Sequence, residues 1–225
     1  MDSAQKGERQ LLAMLLALTF VTGMIDAASF LAMGRVFTAN MTGNIVFLGF
    51  AIAGAPGLSI GRSLTALAAA LAGGMLARRM HGWFGTGGQR VWLASAWSAE
   101  SALLMASAAI AWAHPKADAA SAAICAVIVL TALAMGVRNG TMRRLAVPDM
   151  TTTVLTLTVA ALAFDFSFSK DGNLRWRRRV ASVAAMLLGA SAGTLLLHFA
   201  LAAALAASAV VTLLCVLTQI VAGER

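Results

Sequence analysis

Thr42-Gly43-Asn44-Ile45-Val46-Phe47-Leu48-Gly49-Phe50-Ala51-Ile52-Ala53 reads as an apolar helix too short to cross a bilayer. At the rise of an α-helix it reaches about 18 Å, against a hydrocarbon core of about 30 Å. A second short apolar run, Thr151–Phe164, reaches about 21 Å. Each run either extends through its polar flanks or enters and leaves the bilayer on one side.

Longer apolar runs surround them. Leu11–Met33 is interrupted only by Asp26, and Val91–Ala113 only by Glu100. Ser63–Ala77 is a rather short span that Ile60-Gly61-Arg62 can lengthen, and a loop carrying Arg78, Arg79, His81 and Arg90 is expected after it. Ala119–Val137 is uncharged, and Val180–Gly223 is long enough for two spans that turn near His198. Residues 1–10 are polar with no small-residue cleavage signal after the first run, so a retained first helix is expected.

Composition supports a membrane domain. The 225 residues are 60% hydrophobic and 12% charged, about half the charge usual for a soluble domain. The net charge of +8 sits at the ends of apolar runs, where basic residues mark the cytoplasmic side. No basic helix or aromatic-basic motif points to nucleic acid. Cys125 and Cys215 both lie inside apolar runs, without a CxxC neighbour, and the histidines are scattered. Neither a disulfide framework nor a metal site is expected, and no cofactor. GxSxG, HExxH and Walker A patterns are absent from the sequence, so an enzyme is not expected.

The two short runs occupy matching places in two halves. Gly23-Met-Ile-Asp26 followed by Asn40-Met-Thr-Gly-Asn44 parallels Gly136-Val-Arg-Asn139 followed by Asp149-Met-Thr-Thr-Thr153. Further on, Ala72-Gly73-Gly74 parallels Ala192-Gly193-Thr194. A duplication follows, with residues 10–113 and 119–223 as repeats of one membrane domain, 1–225. Short interrupted segments at corresponding places in duplicated halves are the sequence pointer to a transporter site.

Charge chooses between topologies. With eight crossings, Arg35, Arg78, Arg79, Arg90, Arg138, Arg143 and Arg144 fall outside. With six crossings and two re-entrant segments, all 17 Lys and Arg residues are inside except Arg35, Arg62 and Lys116, which satisfies the positive-inside bias far better. The expected fold is therefore all-α: six transmembrane helices plus two short re-entrant helices in an inverted repeat, with both termini cytoplasmic in a bacterial inner membrane.

Re-entrant backbone must be buried or line a wet cavity. Asn40 and Asp149 stand as N-caps, with Thr42, Gly43, Asn44, Thr151 and Thr152 in the first turns. Two helix N-termini meeting near the midplane would offer N–H groups to a small solute, an anion above all. Asp26 and Glu100 are candidate coupling residues because an intramembrane ionisable group is costly, and Asn139 joins them because it matches Asp26 in the second half. Arg138 is expected to snorkel to the cytoplasm, with a countercharge in the site as the alternative. Gly189–Gly193 forms a GxxxG face for contact within the chain or between copies in a homo-oligomer.

Thr22–Phe30, Phe37-Thr-Ala-Asn-Met-Thr-Gly-Asn44, Gly136–Gly140 and Asp149–Thr152 resemble the YoaK family of bacterial multi-pass membrane proteins, over roughly residues 10–222. The resemblance implies a membrane location and no activity. The arrangement also looks like a reduced version of sulfate- and uracil-type transporters, an analogy of architecture alone. The leading functional expectation is a secondary transporter of a small solute. A membrane scaffold or accessory subunit, and a passive channel, are the alternatives, and the lipid bilayer is the expected environment.

Overall fold

In the computed structural model the described residues are 3–145 and 170–221. They form seven α-helices and one short 3₁₀ turn: α1 Ser3–Ala32, α2 Met41–Ile52, α3 Ile60–Phe84, α4 Gln89–Ala113, α5 Ala122–Leu145, α6 Lys170–Leu197 and α7 Leu201–Val221. All but α2 are long and apolar enough to cross a membrane. The second short run, Thr151–Phe164, lies outside the described residues, as do Asp149, Thr151 and Thr152.

Hydrophobicity is arranged for lipid. Leu71, Met75, Trp112, Leu187, Leu195 and Phe199 are all more than 60% exposed, while Asp26, Asn44, Glu100 and Arg138 are buried. Apolar surface on this scale would not stay dispersed in water. In lipid it costs nothing, and the polar groups turn inward to find partners.

Helix ends fall where local chemistry puts them. Ser59 accepts a hydrogen bond from the Arg62 N–H and opens α3. Asp118 accepts from the Ala120 N–H ahead of α5. Gly34 (φ 86°) and Arg35 (φ 57°) turn the chain after α1 through left-handed conformations. The expected loop at Arg78, Arg79 and His81 is helix instead, and α3 runs on to Phe84 before the glycine cluster ends it. Likewise α5 continues past Val137 through Arg138, Asn139, Arg143 and Arg144. Arg and Met are good helix formers; the polar residues ended the apolar pattern but not the hydrogen-bond ladder. The turn near His198, between α6 and α7, is where the apolar run predicts it.

Two ends of the bundle can be told apart. At one, Gln10 Nε2 donates to the Thr218 carbonyl (2.9 Å) and Arg144 Nε to His81 (3.4 Å). This terminal end therefore holds the start of α1, the end of α7, and the α3 and α5 C-termini. At the other, Arg62 Nε donates to the Gly34 carbonyl (3.0 Å), and its Nη1 to that of Ala119 (3.5 Å). The chain leaves α1 and begins α3 at this same far end, so the stretch carrying α2 starts and finishes there.

Glycines set the tightest helix contacts. A Cβ at Gly136 would overlap the Ala70 carbonyl oxygen, and one at Gly73 that of Leu133, which joins α3 to α5. A Cβ at Gly23 would overlap the Met186 carbonyl oxygen, and one at Gly189 that of Phe20, which joins α1 to α6. The two crossings share one register: Phe20 and Gly23 take the parts of Leu133 and Gly136, and Met186 and Gly189 those of Ala70 and Gly73. Gly73 and Gly189 thus make the same kind of backbone contact, each on a carbonyl of the facing helix. Gly193 packs on Met24.

Candidate functional site

The candidate residues separate into two clusters. The first is built on the loop between α1 and α2. Asp26 Oδ1 accepts the Ala39 N–H (3.1 Å). The Asn44 amide closes on Phe37 from both sides, accepting its N–H (2.9 Å) and donating to its carbonyl. Asn40 caps α2 by accepting the Gly43 N–H (3.4 Å). Gly43 has no side chain because the Phe37 ring lies against it, where a Cβ would come within 2.6 Å. Phe37 in turn stacks between Phe30 and Phe47, with centroids 5.3 and 5.4 Å away.

Every residue of the Phe37–Asn44 motif that sequence placed in a solute site, Thr42 aside, is therefore engaged in folding the loop. Asn44 is fully buried with both amide functions used. Thr42 is exposed on the outer face of α2. Asp26 lies six residues before the end of α1, about 9 Å below the far end. Its carboxylate draws the loop backbone down to that depth.

The second cluster lies at the centre. Arg138 of α5 forms an ion pair with Glu100 of α4, and both side chains have no exposure. Arg138 Nη1 also donates to the Leu18 carbonyl (2.6 Å) and to Thr22 Oγ1 (2.9 Å) on α1. Nη2 and the Glu100 carboxylate share Thr212 Oγ1 on α7 (3.4 and 3.3 Å). Next to it, Ser101 Oγ donates to the Ala209 carbonyl (2.9 Å) across α4 and α7. Glu100 is eleven residues into α4 and Thr212 eleven into α7, each about 16 Å along its helix. The pair is therefore at mid-depth.

Arg138 does not snorkel. It turns inward because Glu100 and the helix carbonyls offer it partners that lipid cannot. The cluster is incompletely satisfied: Glu100 Oε2, Arg138 Nε and the Trp97 indole N–H are buried without a partner, as is Asn139 Oδ1 one residue along. Such groups carry a cost of roughly 1–3 kcal/mol each. Sequence reading singled out Glu100 but not Thr22 or Thr212, since threonines in apolar helices are common and only the packing converges them; Asn139, the other candidate on α5, makes no bond to this cluster. Asp26 and Glu100 share no hydrogen bond. No group of His, Cys, Asp and Glu that could hold a metal occurs among the described residues.

Six long apolar helices around a buried ionic centre define a polytopic α-helical membrane protein. Residues 14–218 match the family model described as "Protein of unknown function (DUF1275)", and the chain belongs to that family. It is 32% identical over 187 residues to the UPF0700 transmembrane protein YoaK of Bacillus subtilis (strain 168), covering 80% of this chain and 79% of that one. No solved structure matches it.

Proposed function

We propose that this protein is a secondary transporter of a small anionic solute, with Arg138 as the group that receives the anion and Glu100 as its internal stand-in. The Arg138–Glu100 pair carries this reading. A buried ion pair is a poor stabiliser relative to apolar packing, and an ionisable residue at mid-depth of a membrane protein is by default a candidate functional site. Here the four contributing helices come equally from both halves: α1 and α4 from the first, α5 and α7 from the second. Any rocking of one half on the other would open the pair. Protonating Glu100 would remove its charge and free Arg138 for a solute carboxylate or oxyanion, coupling a proton to the anion.

The matched glycine crossings support an inverted duplication, as does the opposite course of α1 and α5 between the two ends. The Arg62 bracket supports α2 as a re-entrant helix. The basic terminal end is then cytoplasmic by the positive-inside bias, in a bacterial inner membrane.

A membrane scaffold or accessory subunit is the second reading. It is favoured by the closure of the centre, where neither Arg138 nor Glu100 is exposed. Proteoliposomes containing a trapped pH dye separate the two. Small carboxylates, sulfate and phosphate are added outside in turn, for wild type, Glu100→Gln and Arg138→Gln. Transport requires at least one anion to acidify the lumen in wild type, with no proton movement in Glu100→Gln. If no anion moves protons or accumulates with wild type, the scaffold reading stands.

A further inference from the structure

We propose that the cleft between α3 and α5 at the terminal end, floored by Gly74, Ala77 and Gly140 and rimmed by Arg78, Arg143 and Arg144, binds the phosphodiester headgroup of an acidic phospholipid. The cleft encloses about 650 Å³. Its floor is narrow because a Cβ on Gly140 would stand 2.8 Å from the Ala77 Cβ, and each rim arginine stands one turn further along its helix. His81 shares the cleft and accepts from Arg144 Nε (3.4 Å), so the arginine is already turned toward it. Arg78, Arg143 and Arg144 have no carboxylate partner among the described residues. Three like charges around one concavity repel each other unless an anion sits between them.

The apolar half of the ligand has a track. From Arg78 toward the far end, the same side of α3 exposes Met75 and Leu71 at 62% and 70%. A basic pocket between transmembrane helices above an apolar, lipid-facing stripe is the recognition chemistry of an acidic lipid headgroup. The fold does not require the charge. In the matching cleft between α1 and α6 at the far end, Thr194 holds the place of Arg78, and Leu31 that of Arg144. The same kind of helix crossing thus makes a cleft lined by His114 and His198 but by no arginine or lysine at one end, and an arginine-rimmed one at the other. Lipid binding at this cleft does not depend on transport.

The test uses the purified full chain, delipidated in detergent and titrated with phosphatidylglycerol or phosphatidylethanolamine under native mass spectrometry. Each arginine near an acidic lipid is worth about fivefold in affinity, so R78Q/R143Q/R144Q should bind phosphatidylglycerol on the order of a hundredfold more weakly. Phosphatidylethanolamine should bind weakly to both. The control R9Q/R79Q/R177Q removes as many exposed charges from the same end and should bind as wild type. Equal loss in both triples would overturn the site in favour of diffuse charge. Displacement of the lipid by millimolar inorganic phosphate would overturn it in favour of a soluble anion. Should the glutamine triple fail to fold, a photo-crosslinking phosphatidylglycerol on wild type decides: labelling within residues 74–82 and 140–145 supports the site, and labelling confined elsewhere sinks it.

Discussion

Arg138 on α5 and Glu100 on α4 meet as a fully buried ion pair, and the remaining Arg138 bonds reach Leu18 and Thr22 on α1 and Thr212 on α7. One guanidinium therefore ties four helices together at mid-depth. Its energetics are asymmetric. Removing one partner leaves a charge buried alone, at a cost of roughly 3–5 kcal/mol, whereas replacing both with apolar groups is close to neutral.

The first prediction follows from that asymmetry. Arg138→Met and Glu100→Leu should each lower the Tm of the detergent-solubilised protein by several degrees. The double variant should recover most of the loss, a strong non-additivity of the kind contacting residues show. A double variant whose loss equals the sum of the two singles would mean the residues do not act as a pair. The double variant should also be transport-dead while well folded, which separates function from stability.

Asn44 offers a second test. Its amide satisfies both the N–H and the carbonyl of Phe37, and it is fully buried. Asn44→Ala should cost about 1–3 kcal/mol, felt locally. Hydrogen exchange of residues 33–40 should rise well above that of α3, and protection unchanged from wild type would show that the loop is held by other contacts. Asn44→Asp keeps an acceptor for the Phe37 N–H but as a carboxylate cannot donate to the Phe37 carbonyl, so it too should raise exchange in this loop.

Glycine substitutions should divide by position. Gly23→Ala, Gly136→Ala and Gly189→Ala place a methyl group against backbone carbonyls of the facing helix. The helices must separate, at about 1–3 kcal/mol. Gly49→Ala has open space around its Cβ and should be neutral or slightly stabilising, since alanine is the better helix former by about 1 kcal/mol. Thermal unfolding of the four variants checks the division. Equal effects at Gly49 and Gly136 would remove the close-packing argument.

Topology can be read with a membrane-impermeant maleimide. Cys125 is exposed and Cys215 buried, so the background is Cys125→Ser with Cys215→Ala. Single cysteines at Arg35, Arg78 and Arg144 should label from opposite sides: position 35 from outside the cell, positions 78 and 144 only after the membrane is opened. Labelling of all three from outside would require α2 to cross the bilayer and would end the re-entrant reading.

Much of this architecture is legible along the chain. Apolar run length and the placing of basic residues give the six long helices. The shortness of Thr42–Ala53 is visible because a helix has a fixed rise and a bilayer a fixed thickness. The turn at His198 follows from the length of the last apolar run. Helix ends were less legible. Arg78, Arg79 and Arg138 look like loop or interface residues in a hydropathy pattern, yet the hydrogen-bond ladder runs through them and hydropathy does not record it.

What the sequence determined by itself was the solvent, because burial of apolar surface in lipid depends on composition and segment length alone. Tertiary structure decided the partnerships. Glu100 and Arg138 are 38 residues apart, and nothing local says that one neutralises the other. Asn44 reads equally well as a solute ligand until Phe37 is found inside its reach. A side chain's role depends on which groups are within hydrogen-bond distance, and in a helical bundle that distance is set by how glycine-lined faces interlock, a property of pairs of helices and not of either one.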